Sequence, residues 1–100
     1  PTITSPILDI NGQRYMLTGP VTIIGRGSES DIIVDDSGVS RRHLEIRLTA
    51  GHTVATDLGS TNGTFVEGVR MDAATLVNGN TITIGHTTIM FWDGSDEVSG

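Results

Sequence analysis

Leu44-Glu45-Ile46-Arg47-Leu48 alternates apolar and charged residues, the pattern of a strand with one face on a core and the other in water. Ala50-Gly51 follows as a turn, and Thr53 to Leu58 reads as the partner strand. The same grammar extends in both directions. Ile7 to Ile10 runs into Asn11-Gly12, a strong hairpin signal, and Gln13 to Leu17 continues beyond it. Val21 to Ile24 and Ile32 to Val34 read as buried strands. Thr64 to Val66 and Val69-Arg70 flank Glu67-Gly68, and Thr81 to Ile84 and Thr87 to Phe91 flank Gly85-His86. Roughly ten short strands at close spacing predict an all-β, two-sheet antiparallel sandwich or a barrel. No window sustains a helical period over three turns; Ala73-Ala74-Thr75-Leu76 is expected to make at most one helical turn before Asn78-Gly79.

Length and composition fit one globular domain. The chain has 100 residues, of which 36% are hydrophobic and 18% charged, enough to bury a core without staples. It lacks Cys, which excludes disulfides and thiolate metal sites and suits a reducing compartment; a cytoplasmic location is expected. No apolar run reaches the roughly 20 residues of a membrane helix, so no membrane insertion is expected. The first residue is Pro1 rather than Met, and the chain is read as a domain cut from a longer protein. The domain is expected over residues 7–92, with the polar or acidic ends, 1–6 and 93–100, frayed.

The formal net charge is -6, and every one of the six basic residues is Arg. Such acidity argues against nucleic-acid binding, which needs a broad basic face. It leaves room for a small anion site built by local geometry. The residues for one lie in three loops: Gly25-Arg26, then Ser40-Arg41-Arg42-His43, then Leu58-Gly59-Ser60-Thr61-Asn62-Gly63-Thr64. A phosphorylated Ser or Thr presents a charge of roughly -1.5 to -2 and three strong acceptor oxygens. Arg answers it with a planar fork that never loses its charge. Arg26 and Arg41 are therefore candidate phosphate ligands, with Ser40 and Thr61 as hydroxyl donors. The Asn62 carboxamide, a donor and an acceptor together, can pair with the main chain of an extended peptide.

Each residue also has a plainer reading. A lone Arg beside Gly is usually solvated, Ser40 and Thr61 suit turn chemistry, and Asn62 can open an Asn-Gly turn. Ser40, His43 and Asp57 invite comparison with a hydrolase triad, but no nucleophile elbow or oxyanion hole accompanies them; the better reading has the His43 ring tying neighbouring loops together. His43, His52 and His86 lack metal-ligand spacing, and no metal or cofactor is expected. Gly25 to Ser30 lacks the last glycine and the helix of a nucleotide loop, and the chain has no Lys for a Walker motif. Asp35 and Asp36 are expected to shape the Ser37-Gly38 turn rather than to act as an acid–base pair.

Taken together, Gly25-Arg26, Ser40-Arg41-x-His43 and Ser60-Thr61-Asn62-Gly63 resemble, in order and spacing, the signature blocks of the forkhead-associated (FHA) domain. The resemblance covers about residues 7 to 92. It implies an eleven-stranded β-sandwich whose loops at one end read phosphothreonine peptides, without catalysis. By position it implies that Arg26, Ser40 and Thr61 bind phosphate, that Arg41 lies near the phosphate or the peptide, and that Asn62 holds the peptide main chain. Gly25, His43 and Gly63 are then structural. The stretch Gly38 to Leu44 is similar to actinobacterial members that serve Ser/Thr kinase pathways. A phosphate-independent interaction module on the same sandwich is the alternative.

Overall fold

The computed structural model describes residues 5–94. Eleven strands form two sheets: β1 (Ile7–Ile10), β2 (Gln13–Met16), β3 (Val21–Gly25), β4 (Ile32–Ile33), β5 (Leu44–Thr49), β6 (His52–Asp57), β7 (Thr64–Val66), β8 (Val69–Met71), β9 (Ala73–Thr75), β10 (Thr81–Ile84) and β11 (Thr87–Trp92). One sheet runs β2-β1-β11-β10-β7-β8 and the other β4-β3-β5-β6-β9. Of the two ends expected to fray, residues 1–4 and 95–100 lie outside the described residues.

The alternation seen in the sequence is the alternation of burial. Leu8 and Ile10, Ile82 and Ile84, and Ile89 and Phe91 point inward from the first sheet. Leu44, Ile46 and Ala55 meet them from the second, with Ile24, Val34 and Val39 closing the core toward the loops described below. Removing these side chains from water is the main stabilising term, at about 25 cal/mol per Å² of apolar surface. The tight turns fall where expected: Asn11-Gly12 takes φ of 51° and 80°, and Glu67-Gly68 takes 52° and 81°, the left-handed pair of a two-residue hairpin. Glu67 is a costly residue for that conformation. Its carboxylate offsets the cost by accepting hydrogen bonds from the Thr81 amide at 2.7 Å and from Asn80 Nδ2 at 3.2 Å.

Three local expectations are corrected. Ala73 to Thr75 is a strand, not a helical turn: it pairs antiparallel with β6 in the register Val54↔Thr75. Three residues cannot meet the nucleation cost of a helix, whereas the open edge of β6 offers them hydrogen bonds at once. The chain thus crosses from one sheet to the other at Asp72. Second, β4 lies parallel to β3, with Ile24↔Ile32 and Gly25↔Ile33 paired, while the other pairings are antiparallel. Only two residues pair, so a short loop suffices. Asp31 closes it, its amide donating to the Ile23 carbonyl at 2.8 Å and its carboxylate accepting the Ile23 amide at 2.8 Å. Third, Ile33 is 55% exposed while Ile32 and Val34 are buried, so β4 is an edge with one outward apolar residue.

Candidate functional site

Three connections meet at one end of the sandwich: the β3–β4 loop with Arg26, the β4–β5 loop with Ser40 and Arg41, and the β6–β7 loop with Thr61 and Asn62. Backbone bonds stitch the first two together, Arg26 N to Ser40 O at 2.9 Å and Gly27 N to Arg41 O at 3.0 Å. Gly25 makes that approach possible. A Cβ there would run into the Arg41 carbonyl oxygen and lie 2.7 Å from Ser30 Oγ. Ser30 Oγ itself donates to the Arg41 carbonyl at 2.8 Å. The third loop is joined by Thr61 N, which donates to Ser40 Oγ at 3.1 Å, and by Asn62 Nδ2, which donates to Gly38 O at 2.9 Å.

The result is an open pit of about 350 Å³ lined by Arg26, Ser37 to Arg41, Thr61 and Asn62. Every candidate phosphate or peptide ligand from the sequence stands on its wall. Arg26 Nε donates to the Val39 carbonyl at 3.0 Å, which fixes the plane of the fork and leaves both terminal nitrogens without a partner among the described residues. Ser40 Oγ accepts the Thr61 amide, so its own hydrogen is available to donate outward. Arg41 differs: its Nη2 is 2.9 Å from Glu29 Oε1, an exposed ion pair at the rim. The Glu29 carboxyl sits below its ordinary pKa, through a backbone hydrogen bond first and the Arg41 contact second.

His43 binds the loops from beneath, as its sequence position suggests. It is fully buried. Nδ1 accepts the Ser40 amide at 3.0 Å, which places the ring proton on Nε2, 2.9 Å from the Gly63 carbonyl it donates to. Ser40 therefore faces the ring with its main chain rather than its hydroxyl. Asp57 Oδ1 lies 3.8 Å from Nε2 and is occupied elsewhere. It accepts Ser60 Oγ at 2.7 Å and Thr64 Oγ1 at 2.6 Å, while Oδ2 takes the Gly59 and Ser60 amides. Burial pushes the Asp57 carboxyl up, but the Thr64 and Ser60 hydrogen bonds outweigh it and hold it below its usual value. Gly63, at φ 89°, needs the glycine conformation to turn the chain back into β7.

Two carboxylates do more than their positions in the chain announce. Asp57 organises the β6–β7 loop. Asp36 organises the β4–β5 loop, and from much further away. Its Oδ1 accepts the Gly38 amide at 2.8 Å, while Oδ2 accepts the His86 amide at 2.8 Å and the Thr87 hydroxyl at 2.7 Å. The turn-shaping role expected of Asp36 is present, with an anchor to the β10–β11 turn added. It shapes the Gly38 segment whose carbonyl receives Asn62.

The Thr87 hydroxyl, then the Gly38 amide, holds the Asp36 carboxyl well below the usual carboxylate range. A carboxyl whose pKa is lower folded than unfolded stabilises fully above its unfolded value, about 3.9, and loses that contribution as pH falls below it. Urea titrations of wild type and Asp36→Asn should show a stability gap that is widest at neutral pH. It should narrow as pH drops below about 4; a gap of constant width would show that the carboxylate charge is not what matters.

Comparison with known proteins agrees with this geometry. The FHA domain family model matches residues 22–85. Glycogen accumulation regulator GarA of Mycolicibacterium smegmatis is 45% identical over 83 residues, covering 83% of this chain and 52% of the relative. The chain thus spans about half the length of that curated relative. A solved domain described for phosphothreonine-dependent FHA domain interactions is 39% identical with a TM-score of 0.85, over 89% of this chain and 96% of the other. Mycobacterium tuberculosis EmbR, solved in complex with a low-affinity phosphopeptide, is 32% identical with a TM-score of 0.88, over 96% of this chain and 26% of that one. By its loops, its two sheets and these similarities, the chain belongs to the FHA domain family.

Proposed function

We propose that the chain is a phosphothreonine-peptide-binding module that brings proteins together in response to a Ser/Thr kinase, and that it is not an enzyme. The observation that carries this is the convergence on one pit of an oriented guanidinium, two hydroxyls and a carboxamide from three loops. In this reading Arg26, Ser40 and Thr61 bind the phosphate. Arg41 adds charge at the rim, and the Asn62 carboxamide oxygen takes a peptide N–H. Gly25, His43 and Gly63 support them. The description of one similar domain by its phosphothreonine-dependent interactions, and the phosphopeptide seated on EmbR, support the same ligand class. No catalytic role is assigned, because both His43 ring nitrogens are engaged by main chain, Nδ1 by the Ser40 amide and Nε2 by the Gly63 carbonyl. No cofactor or metal is invoked. The expected site of action is the cytoplasm, and no helix among the described residues is long and apolar enough to cross a membrane.

Charge-assisted hydrogen bonds contribute about 1.5–3 kcal/mol each. Three or four of them, less the ordering of a flexible peptide, give a Kd of about micromolar. The test is calorimetric titration of one threonine peptide in phosphorylated and unphosphorylated forms. Binding of the phosphorylated form alone supports the proposal; equal affinities would favour a phosphate-independent module on the same sandwich.

Glu29 sets a further expectation. It holds Arg41 in competition with an incoming phosphate, and it adds a like charge beside the site. Glu29→Gln should tighten phosphopeptide binding by about two- to fivefold, as befits an exposed ion pair, with the gain shrinking in high salt. Unchanged or weaker binding would show that the pair orients Arg41 usefully rather than withholding it.

A further inference from the structure

Arg70 stands in the middle of β8, opposite Phe65 in the ladder. Its guanidinium lies against Gly63: a Cβ on that glycine would come within 2.7 Å of Nε and 2.9 Å of Cζ. Gly63 directly follows Asn62, the residue placed on the peptide main chain. The fork thus sits beside the β6–β7 loop, one residue beyond the pit-lining Asn62, carried by the strand that pairs with β7.

Arg70 shares with Arg42 the lack of a hydrogen-bond or ion-pair partner among the described residues, and differs from it in being seated on a glycine. Arg14 pairs with Asp9, Arg41 with Glu29 and Arg47 with Glu45, and Arg26 donates to the Val39 carbonyl. Arg70 is exposed and, among the described residues, no carboxylate or carbonyl meets its guanidinium. This is notable in a chain with twice as many acidic as basic residues, 12 against 6. A guanidinium seated on a glycine keeps its donors pointing outward and loses little freedom when an anion arrives. A bare glycine is also what allows the seat, since any side chain at position 63 would displace the fork.

We infer that Arg70 is a specificity-determining residue, taking an acidic side chain of the bound phosphopeptide at a position distinct from the phosphothreonine. This rests on the phosphopeptide reading of the pit. Thr61 and Gly63 are two residues apart, at most about 7 Å of chain, and the fork stands just beyond Gly63. An extended peptide rises about 3.3 Å per residue, so the acid belongs about two or three residues from the phosphothreonine, on the side that passes Asn62.

The test uses a phosphothreonine peptide with alanine at its flanking positions, and four variants carrying one Glu two or three residues before or after the phosphothreonine. Each is titrated calorimetrically against wild type, Arg70→Gln and, as a control for general charge, Arg42→Gln. One Glu position should tighten wild-type binding by about three- to tenfold. That gain should vanish in Arg70→Gln and survive in Arg42→Gln, while the alanine peptide binds all three proteins equally. A gain that persists in Arg70→Gln, or no gain at any position, overturns the assignment while leaving the pit intact. Failure of wild type to bind even the alanine phosphopeptide overturns the pit reading, and this one with it.

Discussion

Arg26→Ala is expected to abolish measurable phosphopeptide binding while leaving the domain folded. The substitution removes the two terminal nitrogens that face the pit, and with them a bidentate contact to the phosphate. At about 1.5–3 kcal/mol per charge-assisted bond, the loss is at least about a hundredfold in affinity, enough to take a micromolar ligand out of calorimetric range. The fold should tolerate the change. Arg26 is exposed, and its structural bond to Ser40 runs through its main-chain amide, which alanine keeps. Only the Nε bond to Val39 O is lost. Arg26→Lys should recover part of the affinity, because charge returns without the fork. An Arg26→Ala protein that binds within threefold of wild type would remove Arg26 from the site.

The second large effect is on stability. His43→Ala deletes a fully buried ring that receives the Ser40 main-chain amide and donates to the Gly63 carbonyl, 20 positions further along the chain from His43. Each orphaned buried group costs about 1–3 kcal/mol, and the cavity left behind adds to this. A total of about 3–5 kcal/mol is a large share of the roughly 5–15 kcal/mol that holds a domain of this size together. Scanning calorimetry should find the midpoint lowered by about 15 °C or more, at about 4–8 °C per kcal/mol. A shift of only a few degrees would mean that water or a neighbouring group replaces the ring, and that His43 is not the fastener the structure makes it.

These two residues also mark what sequence alone conveys. Strands were legible because Leu44 to Leu48, Thr81 to Ile84 and Thr87 to Phe91 carry their burial in their alternation, and the hairpins because Asn11-Gly12 and Glu67-Gly68 carry theirs in turn chemistry. Ala73 to Thr75 was not legible. Its conformation is imposed by the free edge of β6, and nothing local distinguishes it from a helical turn. The parallel placement of β4 was hidden for the same reason: it rests on Asp31 reaching back to Ile23.

At the site, the motifs named Arg26, Ser40, Arg41, Thr61 and Asn62, and all five stand on one pit wall. Their wiring was not visible. The Arg41–Glu29 pair is separated by 12 positions and the Asp36–Thr87 bond by 51. Such long-range pairings leave no periodicity for a local reading to detect. They decide which donors remain free for a ligand, so the motif names the candidates while the fold decides which of their donors are available.

On the reading proposed above, three separate loops form a single receptor for the phosphate of a phosphothreonine peptide. The most direct measurement is a two-dimensional NMR titration of the labelled domain with such a peptide. The largest shifts should fall on the amides of Arg26, Ser40, Arg41, Thr61 and Asn62 and on the Arg26 Nε–H, saturating together with one Kd, and inorganic phosphate at high concentration should move a subset of the same signals. Shifts concentrated instead on Leu48 to Thr53, where β5 turns into β6, would contradict it.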